Sequence, residues 1–429
     1  MEDTNGHAKL LALNKILKLM KKAWNYKAFR IGVIINAIYL IISIVLTLTS
    51  FRNFNDFQVY YKVGGVFMNN INDLYNKSNY YWPFRYFPLS ALFFIPFYLL
   101  GFDLGFITFN FVNFILNLLI IYLIYKILRI KLLHGLSEKS NFLILYISFS
   151  LFGLPQIFNY MLGQVNLYVT FFVLTALYLF LKRAEIKWQF IASVILGLSV
   201  LIKPVTLFLF PFLVIIWYSR PEHKFYFKFK LSVIRLVGAT IPLFLNLIIF
   251  IINPILLEGF INVNLAGEET ILINHSMSLT KIISNLLYFI GFNKETLLNY
   301  QTIIFLIVSG IFMTIGFIAY LFRKKEENSL INSFSIGILI MFISYFDTWD
   351  HHLLILLPLL IIQLVIFKDN NEVNLKPLKY SFLGLNFVSL GFTGIVYALG
   401  ESFPFNFLGT TLLVICFYFN YKIFFMKES

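Results

Sequence analysis

About twelve apolar stretches of helical length, separated by short basic clusters, leave this chain one kind of solvent in which to fold. They lie near 31–50, 105–128, 141–158, 165–181, 189–202, 205–218, 231–253, 301–322, 330–346, 353–367, 381–399 and 407–424. With 59% hydrophobic and 13% charged residues, a 429-residue chain has no soluble core large enough to hide them. The fold class that follows is all-α, a polytopic membrane bundle of about twelve transmembrane helices. Polar groups that recur at or near lipid level are then where chemistry belongs.

The net charge of +14 does not indicate nucleic acid, because the basic residues sit between spans. Lys9, Lys15, Lys18, Lys21, Lys22, Lys27 and Arg30 make residues 1–30 a basic cytoplasmic N-terminus. That segment lacks a cleavage site and does not read as a signal peptide. Alternation then places Lys126/Arg129/Lys131, Lys182/Arg183/Lys187, Arg220/Lys224/Lys228/Lys230, Arg323/Lys324/Lys325 and Lys368/Lys376/Lys379 inside as well. The inside excess among the 34 Lys and Arg residues is roughly four to one. Cys416 stands alone in an apolar run, which excludes a disulfide framework or a cysteine metal site. Abundant Ile, Asn, Lys and Phe point to an AT-rich prokaryotic genome.

Segment 89–102 decides the register. It is apolar but short, and Pro96 interrupts it, so it reads as interfacial or re-entrant. Were it a crossing, every later basic cluster would lie outside. Residues 31–429 therefore form a single transmembrane domain, with external segments 51–104 and 254–300 forming the site. The first of these is expected to hold two helices along the membrane surface, one carrying Asp56 and one formed by 89–102.

With topology set by charge, the unusual polar clusters fall on the external face. They are Asn55-Asp56 with Tyr60-Tyr61, Arg85-Tyr86, Asn159 through Gln164 and Asn166, Lys203-Pro204, Asn274-His275-Ser276, and Asp347 through His352. A carboxylate, a lysine, an arginine, paired histidines and amides on one face suit a lipid-linked anion. Each has a plainer reading. Asp56 can cap a helix, Lys203 can snorkel, and Gly163-Gln164-Val165-Asn166 can be a tight turn. Adjacent histidines on a helix diverge by about 100°, so a metal needs ligands from elsewhere. No metal and no cofactor is expected.

The run Asp56-Phe57-Gln58-Val59-Tyr60-Tyr61-Lys62-Val63-Gly64, then Leu74-Tyr75 and Phe84-Arg85-Tyr86-Phe87-Pro88 with Ala91-Leu92, resembles the first external loop of glycosyltransferase family 87. Gly163-Gln164-Val165-Asn166, Ile202-Lys203-Pro204 and Trp349-Asp350-His351-His352 resemble that family's later motifs, in order. Asn274-His275-Ser276 stands where the family usually has Asn-Gln-Ser. The resemblance implies a GT-C-type bundle and a polyprenyl-phosphate-mannose-dependent α-1,2-mannosyltransferase, inverting at the anomeric centre. It would work in the cell membrane, with the site on the extracytoplasmic face. Asp56 takes the position of the general base. Arg85, Lys203, His351 and His352 are then the donor-phosphate ligands, with Lys203 and the two histidines expected outside the apolar core. Tyr60, Tyr61, Gln164, Asn166, Asn274, Trp349 and Asp350 are the substrate contacts. Implied partners are the bilayer, a polyprenyl-phosphate-linked sugar donor and a glycolipid or lipid-linked glycan acceptor, without nucleic acid.

The alternative is a transporter or flippase of lipid-linked sugars, which should carry ionisable residues midway along its spans and often inverted repeats. Arg235 is the main charge within a span, and no repeat is visible.

Overall fold

The computed structural model describes residues 21, 23–132, 136–265, 276–324, 329–369, 374–399 and 407–425. Helices dominate them. Four are long and apolar enough to cross a membrane: α1 (Lys27–Thr49), α4 (Phe102–Leu132), α9 (Phe229–Ile252) and α12 (Lys294–Leu321). A fifth crossing arises if α5 (Leu136–Phe152) and α6 (Leu154–Leu162), bent by 42°, count as one. Shorter apolar helices complete the bundle: α7 (Asn166–Lys182), α8 (Ile186–Ile202), α13 (Ser329–Ser344), α14 (Leu353–Ile366) and α16 (Phe407–Ile423), with α15 (Lys376–Leu399) before the last. The expected count of about twelve is not reached by helices of spanning length, because a 17-residue helix reaches only about 25 Å. α13 and α14 are apolar nearly all round and buried nearly throughout, which puts them at the centre.

Residues 205–218, expected to be a transmembrane helix, are not α-helical. Pro204–Leu213 form a 3₁₀ helix, followed by a two-stranded hairpin of β1 (Ile216–Ser219) and β2 (Lys224–Phe227). The segment nevertheless runs from one end of the bundle to the other. α8 and α9 pack in parallel: Gln189 faces Arg235, Gly238 meets Ser193, and Gly197 meets Ala239 and Pro242. The chain between two parallel helices has to return. Ten 3₁₀ residues cover about 20 Å, and in an α-helix the interior Pro211 ring would clash with the Leu207 carbonyl. Such backbone is tolerated at depth when protein covers it; Val205, Thr206, Leu209, Phe210, Phe212 and Leu213 are buried.

Arg235 is no mid-span charge. It lies in the second turn of α9, where its Nε and Nη2 donate to Gln189 Oε1 at 2.8 and 2.6 Å and its guanidinium covers the Phe180 ring. Gln189 in turn donates to the Phe180 and Arg183 carbonyls at the end of α7. The same end of the bundle holds the Lys139–Asp369 ion pair, Arg323 on the Ile216 carbonyl and the hairpin.

The opposite end carries α2 (Asp56–Asn69) and α3 (Ala91–Leu99), the two expected surface helices. Nine residues reach about 13.5 Å, so α3 cannot cross. The two are docked against each other and the bundle. Gly64 and Gly65 lie against Phe94 and Tyr98, and Phe57 and Val63 are fully buried. Removing each such side chain from water stabilises by about 1.5–3 kcal/mol. α10 (Pro254–Leu265) and α11 (Leu279–Phe289) lie in the second segment expected to be external.

Candidate active site

Pieces distant in sequence meet at this end around a cavity of about 460 Å³. They include the start of α2, the stretch 82–87, the turn between α6 and α7, the junction of α8 with the 3₁₀ helix, parts of α10, α12 and α13, and residues 345–352 before α14.

Asn55 caps α2. Its Oδ1 accepts from the Gln58 amide at 2.9 Å, and its Nδ2 donates to the carbonyls of Phe51 and Arg52 at 2.7 and 3.0 Å. Asp56 is thus relieved of capping, and its carboxylate lines the cavity. Gln164 Nε2 donates to Asp56 Oδ2 at 2.6 Å. One helical turn after Asp56, the Tyr60 hydroxyl donates to Gln164 Oε1 at 3.0 Å and shares a 2.8 Å hydrogen bond with the Tyr86 hydroxyl. The carboxylate is therefore oriented by an amide that a phenol orients in turn. Burial holds the Tyr60 phenol protonated, well above its usual range.

Gly163 makes the approach of Gln164 possible. Its φ of 62° is left-handed, and a Cβ there would sit 2.5 Å from the Phe57 Cβ. Asn113 Nδ2 donates to the Gln164 carbonyl at 3.3 Å, tying the turn to α4.

Lys203 ends α8 with its Nζ 2.7 Å from Asn166 Oδ1, and Asn166 Nδ2 donates to Asn159 Oδ1 at 3.1 Å. Lys203 is 3% exposed, His351 4% and His352 7%, so these groups lie within the packed protein, not outside the apolar core as expected. The α2–α3 cover and the helices beneath them enclose what the sequence presents as helix ends. His352 Nδ1 accepts from the Trp349 amide at 3.2 Å, which leaves its Nε2 as the proton-bearing nitrogen.

Desolvation governs the charges. It pushes the Asp56 carboxyl up to about 6 despite the Gln164 hydrogen bond and the nearby Lys203, with Asp347 adding to the rise and Arg85 opposing it. It lowers Lys203 to about 7, although Asp56 and Asp347 both pull the other way. Both histidines are pushed well below their usual range by burial first and by Lys203 second, so they are neutral N–H donors at pH 7.

Of the expected residues, Asp56, Tyr60, Arg85, Gln164, Lys203, Trp349, His351 and His352 line the cavity, with Asn166 directly behind Lys203. Tyr61 does not. It points to the other side of α2, where its ring packs on Tyr98 and Phe102, because adjacent helical residues diverge by about 100°. Asp350 also turns away, accepting from the Ser389 hydroxyl of α15, and desolvation raises it to about 6. Asn274 lies outside the described residues.

Polar cavity residues not assigned to the site beforehand include Asp347, Tyr86 and Tyr345, with Asn264 of α10 and Thr302 of α12. Asp347 Oδ2 accepts from Arg85 Nη1 at 2.7 Å and its Oδ1 from Trp349 Nε1 at 2.6 Å, while the Tyr345 hydroxyl lies 3.5 Å from Arg85 Nη1. Asp347 and Tyr86 stand inside runs already singled out, so position in those runs was the available signal.

Chemically, the cavity offers a desolvated carboxylate to accept a proton, and a buried cation with neutral donors to meet an anion. The family model for glycosyltransferase family 87 matches residues 84–344. That match takes in Arg85, Gln164 and Lys203 and ends before Asp347; Asp56 lies ahead of it. No curated protein matches the chain.

Proposed function

The chain belongs to glycosyltransferase family 87, and from that premise we propose that it transfers a sugar, mannose, from a polyprenyl-phosphate carrier to an acceptor hydroxyl on a glycolipid or lipid-linked glycan. The single observation that carries the reading is a half-buried Asp56, freed from capping by Asn55 and aimed by Gln164 into the cavity that Lys203 shares.

In the proposed step the acceptor oxygen attacks the anomeric carbon of the donor sugar while its proton passes to Asp56. The bond between that carbon and the phosphate oxygen breaks with inversion. The carrier leaves as a phosphate monoester with one additional negative charge, which Lys203 and the N–H groups of His351 and His352 stabilise as it develops. The apolar remainder of the lining, including Leu207, Phe208 and Phe305, suits the isoprenoid part of the carrier. We place the site on the extracytoplasmic face, which has no supply of nucleotide sugars; the described residues also show no strand–glycine-loop–helix unit to bind one.

Purified protein in liposomes, given labelled polyprenyl-phosphate-mannose or a labelled nucleotide sugar with total membrane lipid, tests this. Label should move only from the polyprenyl donor. Transfer from the nucleotide sugar in liposomes stripped of polyprenyl phosphate would sink the donor assignment.

A further inference from the structure

Arg85 is already engaged. Its Nη1 meets Asp347 Oδ2 at 2.7 Å, and the two side chains are 15% and 16% exposed at the cavity wall. Asp347 is in turn fixed through its other oxygen by the Trp349 indole. A site built only to bind phosphate would not hold a carboxylate against its arginine, because a desolvated carboxylate repels an incoming phosphate about as strongly as the guanidinium attracts it. The cation that faces the cavity without an acidic hydrogen-bond partner in contact is Lys203, held by the neutral Asn166.

A fixed guanidinium–carboxylate pair beside an indole has another use. The carboxylate accepts from one sugar hydroxyl, the guanidinium donates to its neighbour, and the indole offers an apolar face to the ring's C–H groups. Asp347 acts on the charges of both Asp56 and Lys203, so the pair lies within electrostatic reach of base and cation alike. The geometry points to Arg85 and Asp347 as the subsite that grips neighbouring hydroxyls of the transferred sugar, making them specificity determinants rather than phosphate ligands. This rests on the glycosyl-transfer reading and assigns the donor's sugar to one wall of the cavity and its phosphate to the Lys203–histidine wall.

The test compares two ligands on the full chain in liposomes: bare polyprenyl phosphate, and the same carrier bearing the sugar. The parent protein is measured first, and absence of any transfer or donor hydrolysis there counts against the proposed function itself. In Asp347→Asn the carboxylate no longer opposes Arg85. The expected result is that affinity for the sugar-bearing donor falls at least about tenfold while affinity for the bare carrier holds or rises, and that donors lacking a ring hydroxyl lose their disadvantage. Arg85→Lys keeps the charge but loses the fork; it should reproduce the loss for the sugar-bearing donor with the bare carrier still bound, and it decides the matter should Asp347→Asn fail to fold. Parallel weakening of both ligands in a variant that melts like the parent returns Arg85 to the phosphate and overturns the proposal. So does an effect confined to the acceptor KM, or no effect on either ligand.

Discussion

Asp56 owes its availability to its neighbour. Asn55 performs the capping that either residue could perform, so Asp56→Asn separates base from cap. Turnover should fall about a hundredfold or more, while donor affinity stays near the parent's. The folded protein holds this carboxyl above its unfolded value, so its charged form is disfavoured by folding: any contribution to stability is complete at low pH and lost as pH rises through about 6. At pH 7.5 Asp56→Asn should therefore melt no lower than the parent. The same groups predict a bell in kcat/KM for the donor. Its acidic limb lies near 6, where Asp56 must lose its proton, and its alkaline limb near 7, where Lys203 loses its charge; both limbs belong to the coupled pair. Gln164→Leu removes a hydrogen bond that favours the carboxylate, so the acidic limb should move to higher pH; an unmoved limb in a folded variant removes Gln164 as the orienting residue. Asp56, Lys203 and the histidines were legible because isolated polar groups stand out in an apolar chain. Tyr61, Asp350 and the role of Asp347 were not, since the direction of a side chain and the partner it finds 262 residues away are tertiary facts.

At the scale of elements, the apolar runs were readable and their conformation less so. Hydrophobicity over 205–218 marked a stretch that travels between the two ends, but it carries no period that distinguishes a 3₁₀ helix from an α-helix. Pro211 disfavours the α-helix, and packing accommodates the tighter one: a Cβ on Gly337 of α13 would lie 2.9 Å from the Phe208 carbonyl oxygen, so that glycine admits the tight helix. Segment 89–102 reads as a non-crossing from its length, from Pro96 and from the charge register of the later loops, and the short α3 agrees with it. Parallel packing of α8 and α9 was invisible, because it depends on Gly197 letting two backbones touch. A Cβ there would lie 2.3 Å from the Ala239 carbonyl oxygen and 2.9 Å from the Pro242 Cδ. Gly197→Val should lower stability by about 1–3 kcal/mol or more, seen as a lower melting temperature in detergent. Gly310→Val in α12, where no atom stands within 4 Å, is the matched control and should melt with the parent. Equal melting of both variants would show that α8 and α9 are not in contact at Gly197.

The whole molecule sorts its charges by end. Lys139, Arg183, Arg323 and the hairpin with Arg220, Lys224 and Lys228 lie at one end, and the cavity with Asp56 and Lys203 lies at the other. Basic residues are retained on the cytoplasmic side of a membrane, so the cavity end is expected outside, where sugars arrive on lipid carriers. Cys416 is the single cysteine and is fully buried, so one replacement, Cys416→Ala, gives a background for labelling. Asn70, at the end of α2, and Glu185, between α7 and α8, are both exposed and lie at opposite ends. In intact cells Asn70→Cys should react with an impermeant maleimide, and Glu185→Cys only after permeabilisation. The converse pattern would turn the cavity toward the cytoplasm, where nucleotide sugars are available, and only the apolar lining would then favour a lipid-linked donor. Labelling of both positions from outside would mean that the segment between them crosses an odd number of times fewer or more than the α4–α7 path provides. The sidedness of one cysteine pair thus decides which pool of activated sugar this enzyme can reach.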